Sequence, residues 1–67
     1  MDKFSERLKD LRIEKGLSIQ ALSKELQIGV ASICRWENGK ADVKGAQLIT
    51  IAKYFEVSTD YLLGLED

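Results

Sequence analysis

Apolar side chains recur along this chain at the spacing of an α-helix, and no stretch shows the alternation typical of a β-strand. In the segment 2–15, Phe4, Leu8 and Leu11 fall on one stripe, while Arg7 and its charged neighbours fall on the opposite side. The same periodicity predicts four more helices, over residues 18–26, 29–37, 45–55 and 58–63. We therefore expect an all-α fold of five helices.

The residues between these segments are those that begin and end helices. Ser18 and Ser58 are the first residues of the second and fifth segments, where a serine hydroxyl can accept from the first free backbone N–H groups. Asn38 and Gly39 end the third segment, and Gly64 follows the fifth, where glycine takes the left-handed cap conformation. Short connections of this kind predict a compact bundle.

The composition is that of a small globular domain without cross-links. The 67 residues include no histidine, no proline and one cysteine, Cys34, so neither a disulfide nor a metal site is expected. The chain has no run of about 18 apolar residues, and its charged N-terminus is unlike a signal peptide. We expect a single domain over residues 1–67, in the cytoplasm, with no cofactor, no membrane contact and no small-molecule ligand.

Charge is unevenly distributed along the chain. The net charge is −1, which at first sight argues against a nucleic-acid partner. Residues 1–45 carry nine basic and seven acidic groups, whereas residues 46–67 carry one basic and four acidic groups. This asymmetry suits a domain with one side facing DNA and another facing solvent or a protein, although surface imbalances of this size are common.

The segment 17–40 carries the strongest functional signal. Its two short helices are joined by a tight turn, and apolar anchors are spaced to pack one helix across the other: Leu22, Leu26, Ile28, Ile33 and Trp36. The remaining positions of the second of these helices face outward. A helix-turn-helix of this geometry places its second helix in the major groove of DNA.

Four pieces of the sequence, taken in order, resemble a known family. The chain is similar to phage-repressor-type helix-turn-helix domains, the lambda repressor-like or XRE family, in FSERLKDLRIEKGLS, in the LxxxLxI spacing, in ICRWENGK and in VSTDYLLG. The resemblance extends over residues 4–64. It implies a five-helix bundle with the motif at about 18–38, and a sequence-specific DNA-binding transcriptional regulator, most often a repressor, acting as a homodimer on an inverted-repeat operator. Whether it is an antitoxin or a prophage repressor stays open.

The resemblance also implies which positions meet DNA. They are Gln20, Gly29, Val30, Ala31, Ser32, Arg35, Asn38 and Lys40. The family commonly has glutamine at the position of Ile19, so Gln20 points about 100° away from the usual direction. The family usually has glycine at the position of Gln27, where a left-handed turn costs a non-glycine residue on the order of 1 kcal/mol.

These positions differ in what they can contribute. Arg35 suits a bidentate contact to guanine or a phosphate, although it could also be a surface arginine loosely paired with carboxylates. Ser32 could bond a base edge, a phosphate or its own helical turn. The segment 29–31 has no polar side-chain atoms, so it could pack on thymine methyl groups, admit the DNA backbone closely, or contact a protein instead. Asn38 and Lys40 suit phosphate anchoring.

Other residues have structural interpretations. By the resemblance, Arg12 and Glu37 form an ion pair between the first and third helices, which if exposed would contribute about 0.2–1 kcal/mol. Trp36 is expected in the core rather than as a stacking platform. Cys34 is expected on the outward side of the third helix, as a small filler or, less often, a redox switch.

The C-terminal part carries more apolar surface than a small monomer needs. Tyr54, Tyr61, Leu63 and Leu65 suit a homodimer interface, or they cover the back of the first helix. An alternative function is a protein-interaction module, of antitoxin or anti-repressor type, that kept the fold and lost DNA affinity. An enzyme is not expected, because the chain has neither a nucleophile–base pair nor a phosphate-binding glycine loop.

Overall fold

A computed structural model describes residues 3–66, which form five α-helices. The helices are α1 (Lys3–Glu14), α2 (Ile19–Leu26), α3 (Val30–Glu37), α4 (Gly45–Phe55) and α5 (Thr59–Leu63). The all-α prediction is confirmed, and each predicted helix agrees with an observed one to within a residue or so at its ends. The predicted start of the first helix at Asp2 lies outside the described residues.

The serine caps act as the sequence indicates. The Ser18 hydroxyl accepts from the backbone N–H of Ala21 at 3.0 Å, and the Ser58 hydroxyl accepts from that of Tyr61 at 2.9 Å. Each bond satisfies an N–H group that has no partner within its own helix. Both helices that follow these serines therefore begin at a fixed residue.

The turns after α2 and α4 have the same backbone geometry. Gln27 ends α2 in the left-handed region at φ 57° and ψ 41°, which confirms the strained turn expected there. Glu56 ends α4 at φ 58° and ψ 43°, which the sequence did not predict. In both turns the next residue, Ile28 or Val57, is half-buried, packs on the core and donates its N–H to a carbonyl of the preceding helix. The pairs α2–α3 and α4–α5 are therefore joined in the same way.

One core holds the five helices together. Its fully buried members come from every helix: Leu8, Leu22, Ile33, Ile51 and Leu62. Trp36 is 3% exposed and meets Phe4 edge to face, with ring centroids 6.1 Å apart, so its predicted core position is confirmed. Ile28 and Leu11, both expected in the core, are half-buried at its margin.

The two ends of the described chain are tied together by Arg7. This residue was expected to point into solvent, but its guanidinium donates to the carbonyls of Tyr61 and Glu66 and lies 4.2 Å from the centre of the Tyr61 ring. The prediction was wrong because it considered α1 alone, whereas α5 packs against that side of α1. Gly64 completes the junction at φ 80°, close against Lys3.

Candidate nucleic-acid interface

Helix α3 is buried along one side and open along the other. Ile33 and Trp36 are buried against the rest of the molecule, at 0% and 3% exposure. Val30, Ala31 and Arg35 are exposed, which follows from the 100° step between successive residues. The structure thus provides a rigid helix whose free side carries two small apolar side chains and one guanidinium.

The N-terminus of α3 has no side-chain cap. Gly29 stands at the N-cap position, with φ −59° and ψ 145°, and no side chain bonds the first turn. The carbonyl of Gly29 accepts from the N–H groups of Ser32 and Ile33 at 3.1 and 3.3 Å. The N–H groups of Val30 and Ala31 precede these and have no acceptor within the helix. Backbone can therefore be approached closely at this end of α3, where the helix dipole favours an anion.

A cleft of about 250 Å³ lies beside the C-terminal half of α3. It is lined by α3, by the loop that follows it and by the start of α4: Ser32, Arg35, Trp36, Ala41, Asp42, Lys44 and Gln47. The structure thus brings the predicted residues Ser32 and Arg35 to one site. The cleft also includes Asp42 and Gln47, which were not predicted because only the fold brings the loop and α4 beside α3.

The other residues predicted to contact DNA lie in α2, at the end of α3 and in the loop that follows it. Gln20 is exposed in the first turn of α2. Asn38 is the exposed C-cap of α3, and Lys40 is exposed in the loop, with its N–H bonded to the Arg35 carbonyl at 2.8 Å. Neither Gln20, Asn38 nor Lys40 lines the cleft. Lys44 does, and with Arg35 and Lys40 it gives this part of the surface three cations.

A guanidinium–carboxylate pair fixes the end of α3. Arg12 donates from Nε to Glu37 Oε2 at 2.7 Å and from Nη2 to Glu37 Oε1 at 3.0 Å. It also donates from Nη1 to the Leu17 carbonyl at 2.8 Å, just before α2. The predicted ion pair is confirmed, but it is not a surface pair, because the two side chains are 13% and 6% exposed. It joins α1, the start of α2 and the end of α3 at one point.

The electrostatics of this pair follow from its geometry. The hydrogen bond to Glu37 raises the pKa of the Arg12 guanidinium, and the negative charge of Glu37 adds to this, while partial burial acts in the opposite direction. Cys34 lies close enough to contribute to the same increase, and its side chain is half-buried. Cys34, which was expected on the outward side of α3, is thus partly covered.

The four residues predicted for a dimer interface fall into two groups. The tyrosine rings are covered within the chain, Tyr61 by Arg7 and Tyr54 by the Lys15 ammonium at 4.4 Å. Leu63 and Leu65 are open, with 44% and 72% of their surfaces exposed. Tyr61 thus covers α1, as in the alternative interpretation, whereas Leu63 and Leu65 are exposed and could contact a second copy of the chain.

Residues 3–66 contain neither a cluster of metal-binding side chains nor a helix that could span a membrane. No group of three or more histidine, cysteine, aspartate or glutamate side chains is placed to hold a metal ion. No helix in this part of the chain has both the length and the apolar character that crossing a membrane requires.

Comparison with known proteins gives one family and several relatives. Residues 8–62 match the family model HTH_3, described as helix-turn-helix. Over 64 residues the chain is 36% identical to the HTH-type transcriptional activator BcrR of Enterococcus faecalis and 31% identical to the HTH-type transcriptional regulator ImmR of Bacillus subtilis. The matches cover 96% of this chain but 31% and 50% of those two proteins, so the chain spans half or less of their length.

Solved structures are similar over nearly the whole chain. The P22 c2 repressor, crystallised with the synthetic operator 9T, superposes with a TM-score of 0.86 at 27% identity, over 94% of this chain and 96% of that one. The restriction-modification controller protein C.AhdI of Aeromonas hydrophila gives a TM-score of 0.80 at 27% identity, over 90% and 91%. These likenesses confirm the lambda repressor-like fold expected from the sequence.

Proposed function

This chain belongs to the HTH_3 helix-turn-helix family, and from that membership we propose that it binds double-stranded DNA as the DNA-reading part of a transcriptional regulator. The observation that carries the proposal is α3, held by its buried side and open along a side that bears Val30, Ala31 and Arg35. The relatives described as a transcriptional activator and a transcriptional regulator support it, as does the likeness to a repressor crystallised with operator DNA. We favour a repressor of transcription that acts in the cytoplasm and has no enzymatic activity.

In this proposal α3 enters the major groove. Arg35 has the planar fork that can bond both acceptors of a guanine, and Ser32 beside it can reach a neighbouring base edge or phosphate. Asn38 and Lys40 lie at the end of α3 and in the loop, and with Gln20 they would bond phosphates on either side of the groove. These phosphate contacts would set the register of α3 without reading sequence.

The first turn of α3 presents apolar side chains that could contact bases directly. Val30 is 37% exposed and Ala31 is also exposed, and neither offers a hydrogen-bonding side chain. Such groups distinguish bases by contact with the thymine methyl, while Gly29 lets the backbone approach. Replacing one contacted thymine with deoxyuridine removes only that methyl and should weaken binding about fourfold, from the burial of one carbon. An unchanged affinity at every thymine of the site would contradict this contact.

The central experiment is selection of bound duplexes from random DNA, read by sequencing. We expect enrichment of an inverted repeat with half-sites about 34–36 Å apart. Arg35→Ala should cost about 1–3 kcal/mol and relax the preference at one base step, whereas the matched Lys40→Ala should weaken all sequences alike. If Arg35→Ala bound the selected site as tightly as the unaltered protein, Arg35 would not be the reading residue.

A homodimer is part of this proposal. Leu63 and Leu65 are exposed near the C-terminal end of the described chain, which makes them a suitable surface for a second copy. Leu65→Lys should shift the protein towards the monomer in sedimentation and lower its affinity for the inverted repeat more than for a single half-site. An unaltered mass distribution would exclude this surface as the interface.

A second candidate function rests on the same exposed Val30 and Ala31. An apolar end of α3 also suits contact with a protein, as in an antitoxin or anti-repressor. The two functions differ in their response to salt, because DNA binding through several phosphates weakens steeply between about 50 and 200 mM salt. Absence of binding to any duplex at low salt would favour the protein-interaction module.

A further inference from the structure

The cleft beside α3 is bordered by charges of both signs. Between residues 29 and 47, the charged side chains are Arg35, Glu37, Lys40, Asp42 and Lys44. Glu37 is 6% exposed and bonded to Arg12 through both of its carboxylate oxygens, so its charge is already compensated. The exposed charges of this stretch are therefore three cations and the carboxylate of Asp42.

We propose that Asp42 is a built-in counter-charge, which weakens binding of DNA phosphates at this surface irrespective of base sequence. The inference rests on the proposed DNA-binding function and deepens it by naming a residue that limits sequence-independent affinity. Asp42 lines the same cleft as Arg35 and Lys44, so a phosphate that approaches these two cations also approaches the carboxylate.

The position of Asp42 favours a phosphate effect over contact with a base. Asp42 belongs to the loop after α3, and it shares the cleft with Lys44 and Gln47 at the start of α4. The groove-reading side chains belong to α3 itself, whereas residues beside a recognition helix meet the backbone of the duplex. A carboxylate there repels phosphates, and nearly all sequence-independent affinity comes from phosphates.

The size of the effect follows from Coulomb's law. Two unit charges about 4 to 8 Å apart in water interact by an energy that corresponds to a roughly two- to fivefold change in affinity. Salt screens such an interaction, so the effect should shrink at higher ionic strength. Loss of the carboxylate should also steepen the dependence of log affinity on log salt by up to about 0.9, the slope expected for one phosphate contact.

The test compares two substitutions that change the net charge equally. Asp42→Asn removes the carboxylate from the cleft, and Asp60→Asn removes one from α5, whose packing partners are α1 and α4. The 67-residue chain and both variants are titrated, by fluorescence anisotropy, against a labelled duplex of arbitrary sequence at about 50 and 200 mM salt. Circular dichroism establishes that each variant is folded.

We expect Asp42→Asn to bind the arbitrary duplex about two- to fivefold more tightly at the lower salt concentration, with Asp60→Asn unchanged. Equal gains in both variants would overturn the inference, because net charge alone would then explain the effect. Weaker binding by Asp42→Asn would also overturn it and would make Asp42 an acceptor for the DNA. If the unaltered chain binds no duplex at low salt, the proposed function itself fails, and the inference fails with it.

Discussion

Removing Glu37 tests whether the pair that fixes α3 behaves as a buried interaction. Glu37→Leu replaces the carboxylate with an apolar side chain and leaves the guanidinium of Arg12 without its two carboxylate bonds of 2.7 and 3.0 Å. Breaking a buried pair in this way costs about 3–5 kcal/mol, against about 0–1 kcal/mol for a surface pair. We expect about 3 kcal/mol, the lower end of the buried range, because Arg12 keeps 13% of its side-chain surface exposed.

That cost is large for a chain of this size. At about 0.05–0.15 kcal/mol per residue, 67 residues correspond to a free energy of unfolding of roughly 3–10 kcal/mol. Glu37→Leu should therefore remove about 30% or more of the free energy of unfolding. Urea unfolding followed by fluorescence of the single tryptophan, Trp36, and by circular dichroism measures the loss directly.

The double variant Arg12→Leu/Glu37→Leu separates the charge from the packing. It removes the unpaired cation, so it should recover most of the stability that Glu37→Leu loses. Recovery should fall short by about 1 kcal/mol, because the Leu17 carbonyl also loses the Arg12 bond of 2.8 Å. A loss below 1 kcal/mol in Glu37→Leu, or a double variant no more stable than it, would refute the buried-pair interpretation.

Three further predictions concern stability. Gly64→Ala should lower the free energy of unfolding by about 1–3 kcal/mol in urea titration, because φ at this position is 80° and an added Cβ would lie 2.6 Å from Lys3 Cβ. The control Gly45→Ala should not lower it, because an added Cβ at Gly45 would meet no atom within 4 Å. Gln27→Gly should raise the free energy of unfolding by at most about 1 kcal/mol, since glycine relieves the strain at φ 57° but gains freedom in the unfolded chain; a lower urea midpoint would contradict this. Because the pKa of the Arg12 guanidinium is raised, its contribution to stability is complete below the pKa of the unfolded state and is lost only as pH rises through the pKa of the folded state. Both pKa values lie far above pH 9, so the difference in urea midpoint between Glu37→Leu and the unaltered protein should be the same at pH 6 and pH 9.

The helices could be predicted from the sequence because their signals are local. Ser18 and Ser58 cap the helices they precede, and the periodic apolar residues turn inward as expected. The exposure of Val30, Ala31 and Arg35 on α3 follows from the same periodicity, whereas their proposed contact with DNA came from the family resemblance. The ion pair of Arg12 with Glu37, 25 residues apart, came from the family resemblance and not from spacing.

What the sequence did not predict depends on packing between distant segments. The position of Asp42 in the cleft requires knowing how the loop after α3 lies against α4. The inward turn of Arg7 requires α5 to be in place, and the left-handed conformation of Glu56 has no glycine to mark it. Asp42, Arg7 and Glu56 belong to no recognisable sequence motif, so their roles become visible only in the folded structure.

The connectors 27–29 and 56–58 begin with the same left-handed conformation and differ at their third residue. Their left-handed residues agree to within two degrees in φ and ψ, yet Gly29 leaves the following helix uncapped and Ser58 caps it. The connector geometry and the state of the next helix end are thus set by different residues. Variation at the third position of either connector can open or close a helix end while the bundle keeps its shape.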